Sequence, residues 1–436
     1  HYTNLHGNEL NLEGVWGDLV NKTKNAINSK NINVIYEATF EHLDTRIRTD
    51  VLIRKKNGWE LLEAKSSTRL KDEHIPDISI QSFIVRECLK QIGHNLISCK
   101  LIHINKDFTL ENTEDYTDLI NDENDISNKI IEIEKEIPNY IKDLLPLTEE
   151  NSPCPEIEMG THCNKPNECN YKDRCEKSFL KKFLLPNSDV TPFTILPYVG
   201  KLTLKDRELI EFMKNQGTVD LQKVPSKYFR NRKGYPENYH QIIQVAHKNN
   251  EPCFNFPGLK NAFKKFSFPF YFMDFEYVDQ GVPIVKNTKP YVKLPFQWSV
   301  HKWDSENSKI DNGMNFLKFS DHDIERQFIE RLLEAVGDSG TIFAHSAKLA
   351  EVKRLEELKE KDNCKDLADE INELIKRIED TLILVGENFY SPLMNGKYKI
   401  KNIIKAIPNC PINYEEKDNI AGGDDAQSAW FICTDP

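Results

Sequence analysis

Asn57 and Gly58 separate two short segments rich in apolar and β-branched residues, and no other feature constrains the fold as much. Residues 50–53 precede this pair, and residues 59–63 follow it. Asn-Gly favours the tight turn of a β-hairpin, because both residues tolerate positive φ. A third apolar segment, residues 33–36, lies upstream. We therefore predict a meander of strands in the first part of the chain.

Strand and helix patterns continue along the rest of the chain and predict the α/β class. The first part predicts helix 78–89, strand 100–104 and an acidic, helix-forming stretch over residues 110–145. The last part predicts strand 268–273, helix 323–336, strand 341–344 and a long helix over residues 349–374. A Pro-, Lys- and Asn-rich stretch lies between these parts. We predict domains at 1–185 and 267–436, joined by a small helical connector at 186–266.

Composition excludes some classes of protein. The chain has 436 residues, of which 39% are hydrophobic and 29% charged, with no apolar run approaching the roughly 20 residues of a bilayer span. The net charge of −11 argues against binding nucleic acid by bulk electrostatics alone. No signal peptide is visible, and the start at His1 suggests a fragment. We expect a soluble, cytoplasmic protein without a membrane role.

Two carboxylates and an amine can converge on the predicted hairpin. Glu63 and Lys65 share one face of their strand, because side chains alternate along a strand. Asp50 begins the preceding strand. Phosphodiester hydrolysis needs hard oxygen ligands for Mg²⁺ and a cation near the attacking water. An Asp, Glu, Lys set on paired strands therefore indicates a metal-dependent hydrolase of phosphodiesters.

The order of Asp50, Glu63-Ala64-Lys65 and a helix bearing Gln81 resembles the RecB-like branch of the PD-(D/E)xK nuclease superfamily, which includes the CRISPR adaptation exonucleases. The resemblance implies a restriction-endonuclease-like fold, Mg²⁺ or Mn²⁺ at Asp50 and Glu63, and Lys65 acting on the nucleophilic water. The branch places a Tyr four residues after the Gln, where this chain has Val85. An early acidic ligand is expected at Glu9 or, alternatively, at Glu37.

Four of the ten cysteines cluster in a loop-rich stretch, at Cys154, Cys163, Cys169 and Cys175. Such clustering favours one local metal or cluster site in a reducing compartment over a disulfide framework. Paired C-x2–4-C ligands typical of zinc are missing from this spacing, whereas iron–sulfur ligation tolerates varied spacing. We therefore expect an iron–sulfur cluster, with zinc or free thiols as alternatives.

The resemblance to RecB-like nucleases adds that three late cysteines and one much earlier cysteine hold a [4Fe–4S] cluster. In this chain Cys163, Cys169 and Cys175 match the late trio. The fourth ligand is expected either upstream of His1 or at Cys154. His162 is interpreted as a loop residue.

Asp274 and Glu276 stand at alternate positions at the end of an apolar strand pattern. Burying two carboxylates there is unfavourable unless a cation binds them. This D-x-E resembles the opening motif of DEDD exonucleases, which have an RNase H-like fold and two divalent metals. The resemblance implies catalytic roles for Asp274, Glu276, Glu351 and Asp425. The chain departs from the family in having Glu351 for the second-motif Asp, and in having no His or Tyr at the expected spacing before Asp425.

Taken together, nearly the whole chain resembles a bacterial family of unknown function that joins a RecB-like nuclease module to an RNase H-like module. The resemblance rests on residues 59–81, the late cysteines, residues 272–276, 290–291 and 295–298, and on Tyr390, Pro392, Ile400 and Lys401. We hypothesise a metal-dependent nuclease, with DNA a better candidate than RNA as partner. The alternatives are a non-catalytic nucleic-acid-binding module and an RNA-directed exonuclease.

Overall fold

The computed structural model describes residues 9–112, 115–157, 160–163, 167–175, 190–197, 204–230, 238–319, 323–407, 409–410 and 423–434. These residues form helices and several sheets, as the predicted α/β class requires. The chain divides into two compact units. Unit 1 is His1–Ile157 with Asp279–Val292, and unit 2 is Glu158–Val278 with Lys293–Pro436. Within the described ranges, no helix combines the length and apolar character that crossing a bilayer requires.

A six-stranded mixed sheet forms the centre of unit 1, in the order β1-β2-β3-β4-β5-β6. Strands β1 and β2 are parallel, as are β4 and β5, whereas the other neighbours are antiparallel. The elements are β1 (Glu9–Asn11), α1 (Trp16–Asn28), β2 (Val34–His42), β3 (Thr45–Lys55), β4 (Gly58–Lys65), α2 (His74–Gln91), β5 (Leu96–Ile104), β6 (Ile120–Asp125) and α3 (Ser127–Leu144).

The predicted hairpin is confirmed by β3 and β4, which pair from Val51–Leu62 to Lys55–Gly58. Gly58 has φ +154°, and a Cβ there would lie 2.5 Å from the carbonyl oxygen of Asn95. Only glycine therefore fits at this close approach of two backbones. The hairpin turn places Glu63 and Lys65 at the far end of β4.

Helices α1 and α2 pack on one face of this sheet, where the buried residues include Leu19, Ile27, Leu61, Ile84 and Val85. The acidic stretch that was expected to be helical is only partly so. Its central residues form the edge strand β6, antiparallel to β5, and the helix α3 follows. Backbone hydrogen bonds to a partner strand outweighed the local helical preference of these residues.

Unit 2 contains a five-stranded sheet in the order β10-β9-β8-β11-β12, in which β8, β11 and β12 are parallel. The elements are α4 (Leu204–Asn215), α5 (Tyr239–Asn249), β7 (Cys253–Phe254), α6 (Phe256–Phe263), β8 (Phe270–Asp279), β9 (Lys293–Trp303), β10 (Met314–Leu317), α7 (Ile324–Val336), β11 (Thr341–Ala344), α8 (Glu351–Leu358), α9 (Ala368–Lys376), β12 (Ile378–Asp380), α10 (Thr381–Asn388), β13 (Phe389–Tyr390), α11 (Ile400–Ala406) and α12 (Gly423–Thr434).

The described part of the predicted connector shares a hydrophobic core with a later segment of unit 2. Buried residues of this core come from both regions, and include Phe193, Leu221 and Tyr239 together with Tyr390 and Met394. Strands β7 and β13 also pair, joining the same two regions. These contacts join the connector to the last part of the chain, and the domain boundaries at 185 and 266 stay a prediction.

The long helix expected over residues 349–374 is divided into α8 and α9, separated by a short 3₁₀ turn at Lys365–Leu367. Arg326 of α7 contacts the segment between the two helices. Its guanidinium donates to the carbonyl oxygen of Asn363 at 2.7 Å and pairs with Asp366 at 2.8 Å. These contacts hold the interrupted segment against α7.

Candidate functional site

Asp50 lies where strands β3 and β4 diverge. Regular pairing ends at Val51 and Leu62, and beyond that point the Asp50 carboxylate accepts the backbone N–H of Ala64 at 2.7 Å. The side chain thus takes the place of a backbone partner and holds β4 beside it. Asp50 lies close enough to Glu63 for its charge to act on the Glu63 carboxyl group. Glu63 and Leu61 are on the same side of β4.

Glu63 is buried, with 7% of its surface exposed. Its Oε1 accepts a hydrogen bond from Lys65 Nζ at 2.9 Å, whereas Oε2 is buried without a hydrogen-bond partner among the described residues. Burial and the charge of Asp50 raise the pKa of Glu63 to about 7, although Lys65 and Gln81 act in the opposite direction. A carboxylate in this state favours binding either a proton or a cation.

Helix α2 brings two side chains to Glu63 and Lys65. Gln81 lies close enough to Glu63 to lower its pKa by hydrogen bonding, and Asp77 forms an ion pair with Lys65. Burial alone would lower the pKa of Lys65, but hydrogen bonds with Asp77 and Glu63 raise it. The structure therefore brings together Asp50, Glu63, Lys65 and Gln81, as the sequence predicted, and adds Asp77.

Two histidines beside Lys65 were also missed in the sequence. His103 lies opposite Lys65 in the parallel pairing of β4 and β5, and its ring stacks on His74 with centroids 5.8 Å apart. Burial lowers the pKa of both imidazoles, and the charge of Lys65 lowers it further. Both rings therefore remain neutral near neutral pH. The signal that could have identified Asp77 and His74 is their helical spacing from Gln81.

Val85, which stands where the RecB-like branch has Tyr, is fully buried in the core between the sheet and α2. Of the two candidates for an early acidic ligand, the side chain of Glu9 lies outside the described residues. Glu37 has φ +59° and pairs with Arg48 at 3.7 Å. Its left-handed backbone is unusual for a glutamate within a strand. The structure describes no contact between Glu37 and the other site residues.

The four clustered cysteines fall in both units, so their geometry is described separately. Cys154 belongs to unit 1 and is exposed. In unit 2, Cys163 is buried, and its carbonyl oxygen accepts the N–H of Cys169 at 2.9 Å. Cys175 closes the described part of this segment with a hydrogen bond to Tyr171. The thiols are free, and they stay predicted ligands.

In unit 2, carboxylates gather at the carboxyl ends of the parallel strands β8, β11 and β12. Asp274 lies in the middle of β8, two residues beyond Phe272, the last residue of β8 that pairs with β11. Asp380 ends β12, and Glu351 begins α8 after β11. Parallel strands present their carboxyl ends at one edge of a sheet, which is where α/β proteins commonly bind ligands. Asp380 was noted in the sequence only as the start of an apolar stretch.

Glu351 is the most buried of these carboxylates, and its Oε2 has no hydrogen-bond partner in the described structure. Burial raises the pKa of Glu351 to about 8, and the charges of Asp274 and Asp380 raise it as well, against hydrogen bonds from backbone amides. Partial burial also raises the pKa of Asp274, although this residue keeps access to solvent and His345 acts in the opposite direction. The three carboxylates are therefore electrostatically coupled.

Backbone amides hold Asp380 in place. Its Oδ1 accepts the N–H of Ser346 at 3.0 Å and that of Leu382 at 2.9 Å, so it caps α10. His345 is fixed as well: Nδ1 lies 3.1 Å from the hydroxyl of Thr381, and Nε2 lies 3.1 Å from the carbonyl oxygen of Tyr398. His345 is thus occupied by structural hydrogen bonds on both nitrogens.

Glu276 lies next to the start of α12. A Cβ added to Gly423 would stand 3.1 Å from Glu276 Oε2. Asp425 follows two residues later in the same helix and is exposed. The structure thus places the helix that carries Asp425 beside the D-x-E strand, whereas the side chain of Asp424 lies outside the described residues.

Comparison with known proteins bears on unit 2. Residues 271–399 match a family model described as Domain of unknown function (DUF2779). No curated protein and no solved structure matches the chain. The expected likeness to a family of unknown function is therefore confirmed for these residues, and the nuclease-module architecture stays a prediction.

The DUF2779 match includes Asp274, Glu276, Glu351 and Asp380, and ends before Asp425. The candidate site of unit 1 lies outside it. Across the described ranges, no group of three or more His, Cys, Asp or Glu side chains lies close enough together to hold a metal ion. Mg²⁺ needs fewer, because it commonly binds through one or two carboxylates together with substrate phosphates and water.

Proposed function

We propose that this chain is a Mg²⁺- or Mn²⁺-dependent nuclease that hydrolyses phosphodiester bonds of DNA at the site formed by Asp50, Glu63 and Lys65. The observation that carries the proposal is Glu63, which is buried between Asp50 and Lys65 with one carboxylate oxygen lacking a partner. A buried, unpartnered carboxylate oxygen is costly unless a ligand completes it. Carboxylate oxygens are the donors that Mg²⁺ and Mn²⁺ prefer.

Asp50 and Glu63 would hold the cation, which supplies charge neutralisation at the phosphate and lowers the pKa of water. Groups of the protein itself orient the carboxylates and stabilise the developing charge. The Ala64 amide keeps Asp50 oriented, and Lys65 donates a hydrogen bond to Glu63. Lys65 provides a fixed positive charge beside them, which stabilises the negative charge that develops on the phosphate during attack.

The mixed sheet of unit 1, with its hairpin followed by α2 and a parallel β5, supports a restriction-endonuclease-like fold for this proposal. In the same way, the parallel strands and acidic carboxyl edge of unit 2 support an RNase H-like domain. We propose a second, exonuclease-like centre there, formed by Asp274, Glu276 and Glu351 with Asp425. The observation that favours it is the unpartnered, buried Oε2 of Glu351.

The test is cleavage of labelled single-stranded and duplex DNA and RNA by the purified chain with Mg²⁺ or Mn²⁺. We expect Lys65→Ala to reduce DNA cleavage about 100-fold or more, as loss of a charged transition-state contact does. Lys56→Ala, at an exposed lysine in the β3–β4 turn, is the matched control and should leave the rate unchanged.

Asp274→Ala, compared with Asp279→Ala at the end of the same strand, tests unit 2 separately. A loss confined to Lys65→Ala assigns catalysis to unit 1 alone, and a loss confined to Asp274→Ala assigns it to unit 2. Cleavage of RNA in preference to DNA would instead favour the RNA-directed exonuclease. If the unsubstituted chain binds nucleic acid without cutting it, the chain is a binding module and the nuclease proposal is wrong.

For the cysteines we propose a structural [4Fe–4S] cluster held by Cys163, Cys169 and Cys175 of unit 2. The hydrogen bond between the backbones of Cys163 and Cys169 supports a shared site. Such a cluster fits a reducing, cytoplasmic compartment. Iron and acid-labile sulfide in protein purified without oxygen, lost on Cys163→Ser, would support it, whereas stoichiometric zinc would assign the site to that metal.

A further inference from the structure

Helix α2 contacts the Glu63-Ala64-Lys65 strand at two points that match in spacing. Asp77 and Gln81 are four residues apart, which is one turn and about 6 Å along a helix axis. Glu63 and Lys65 are two residues apart, which is about 7 Å along a strand. Because the two spacings nearly coincide, Asp77 forms an ion pair with Lys65 while Gln81 lies near enough to Glu63 to lower its pKa.

The contacts of Lys65 show what Asp77 adds. An ammonium group has three N–H donors, and Glu63 and Asp77 accept two of them. The titratable neighbours that remain, His74 and His103, are neutral because burial and the charge of Lys65 lower their pKa. Asp77 is thus the carboxylate that fixes the ammonium independently of Glu63.

We propose that Asp77 is a positioning residue, which holds the Lys65 ammonium beside Glu63 from the first turns of α2. The inference rests on the proposed nuclease function of this site and deepens it. Asp77 is half-exposed, and ion pairs of this kind contribute little to stability. Replacing it therefore leaves the fold intact and releases Lys65, whose flexible side chain then samples other positions.

The experiment compares Asp77→Asn and Asp77→Glu with the unsubstituted chain in the DNA cleavage assay with Mg²⁺ or Mn²⁺. Misplacing a catalytic group by about 1 Å can cost up to about 100-fold in rate. We expect Asp77→Asn to lower kcat about 10- to 100-fold with KM unchanged and an unchanged melting temperature, and Asp77→Glu to recover most of kcat. Glu73→Ala is the matched control, because it removes a carboxylate at the start of α2 that pairs with Lys71.

A second readout is independent of activity. In ¹⁵N-lysine-labelled, metal-free protein, the ammonium signal of Lys65, assigned by its loss in Lys65→Arg, should be visible while the ion pair protects it from exchange with water. We expect it to disappear in Asp77→Asn and to persist in Glu73→Ala. Persistence of the signal in Asp77→Asn overturns the inference, since another group must then hold Lys65.

The outcomes separate the inference from the proposed function. If the unsubstituted chain cuts DNA and Lys65→Ala does not, but Asp77→Asn keeps the full kcat, the inference is wrong while the proposed function stands. If Asp77→Asn loses activity only through KM, Asp77 contributes to substrate binding, and the positioning role is again wrong. If the unsubstituted chain never cuts, both are wrong.

Discussion

The carboxylates of unit 1 are held beside a lysine, whereas those of unit 2 are held beside one another. In unit 1, burial and Asp50 raise the pKa of Glu63 to about 7 while Lys65 opposes the shift. In unit 2, Asp274 and Asp380 add to burial, and the pKa of Glu351 reaches about 8. At neutral pH the ionised form of the unit 2 site therefore depends more on an external cation, because the chain itself compensates less of its charge.

The largest expected effect is on the pH dependence of stability, and it comes from removing the ionisable group of Glu351. Its folded-state pKa of about 8 exceeds the ordinary value of 4.5, so the stability that protonation gives is fully present below pH 4.5 and is lost as pH rises through 8. Metal-free Glu351→Gln carries no such charge, so it should be more stable than the unsubstituted chain above pH 8, by up to about 5 kcal/mol. Urea unfolding at pH 5 and pH 9 measures the difference.

Glu356→Gln is the control for this experiment, because it removes an exposed carboxylate from the same helix. Its stability should follow that of the unsubstituted chain at both pH values. Equal pH dependence in Glu351→Gln and the unsubstituted chain would show that Glu351 is ionised without cost, and the contrast between the two units would then disappear.

A bound divalent cation should reduce the difference between the two units, because it compensates the negative charge of the carboxylates at each site. At about 100 times its dissociation constant, a ligand that binds only the folded state adds about 2.7 kcal/mol of stability. We expect Mn²⁺ to raise the melting temperature of the unsubstituted chain, and Asp274→Asn to remove a larger share of that gain than Asp50→Asn. Asp279→Asn, exposed at the end of β8, should keep the full gain. If Asp50→Asn instead removes the larger share of the Mn²⁺-induced gain in melting temperature, the site of unit 1 depends more on the cation than the site of unit 2.

The smallest expected effect on stability comes from replacing Asp50 or Asp380. Each raises the pKa of a nearby glutamate, and each also accepts hydrogen bonds from backbone amides. Asp380 caps α10 and holds the amide of Ser346, whereas Asp50 holds that of Ala64. At pH 5, Asp380→Ala should cost about 1 kcal/mol, the usual value for a lost helix cap. Chemical denaturation should give a similar loss for Asp220→Ala, which removes a cap on the amide of Gln222.

At higher pH the two losses should separate, because removing Asp380 also relieves its repulsion of Glu351. Asp380→Ala then becomes less destabilising than Asp220→Ala, and Asp50→Ala follows the same trend to a smaller extent. If Asp380→Ala and Asp220→Ala lose the same free energy of unfolding at every pH, the charge of Asp380 does not affect the ionisation of Glu351.

Residues close together in the sequence were enough to predict the local geometry of unit 1. Asn57 and Gly58 predicted the hairpin, strand alternation placed Glu63 and Lys65 on one side, and the apolar pattern after residue 77 predicted the helix that carries Gln81. These features depend on residues close in sequence, so backbone preferences and side-chain periodicity are enough to predict them. The D-x-E strand of unit 2 was predicted for the same reason.

Contacts between separate elements of the fold could not be predicted from the sequence. The pairing of Asp77 with Lys65, the coupling of Glu351 with Asp274 and Asp380, and the hydrogen bond of Arg326 to Asn363 each join different elements of the fold. The core that unites residues 193–246 with 390–406 is of the same kind. Side-chain spacing along one segment shows which residues share a face, but not which distant segment that face meets, because burial, and the pKa shifts that burial causes, are set only when two surfaces pack together.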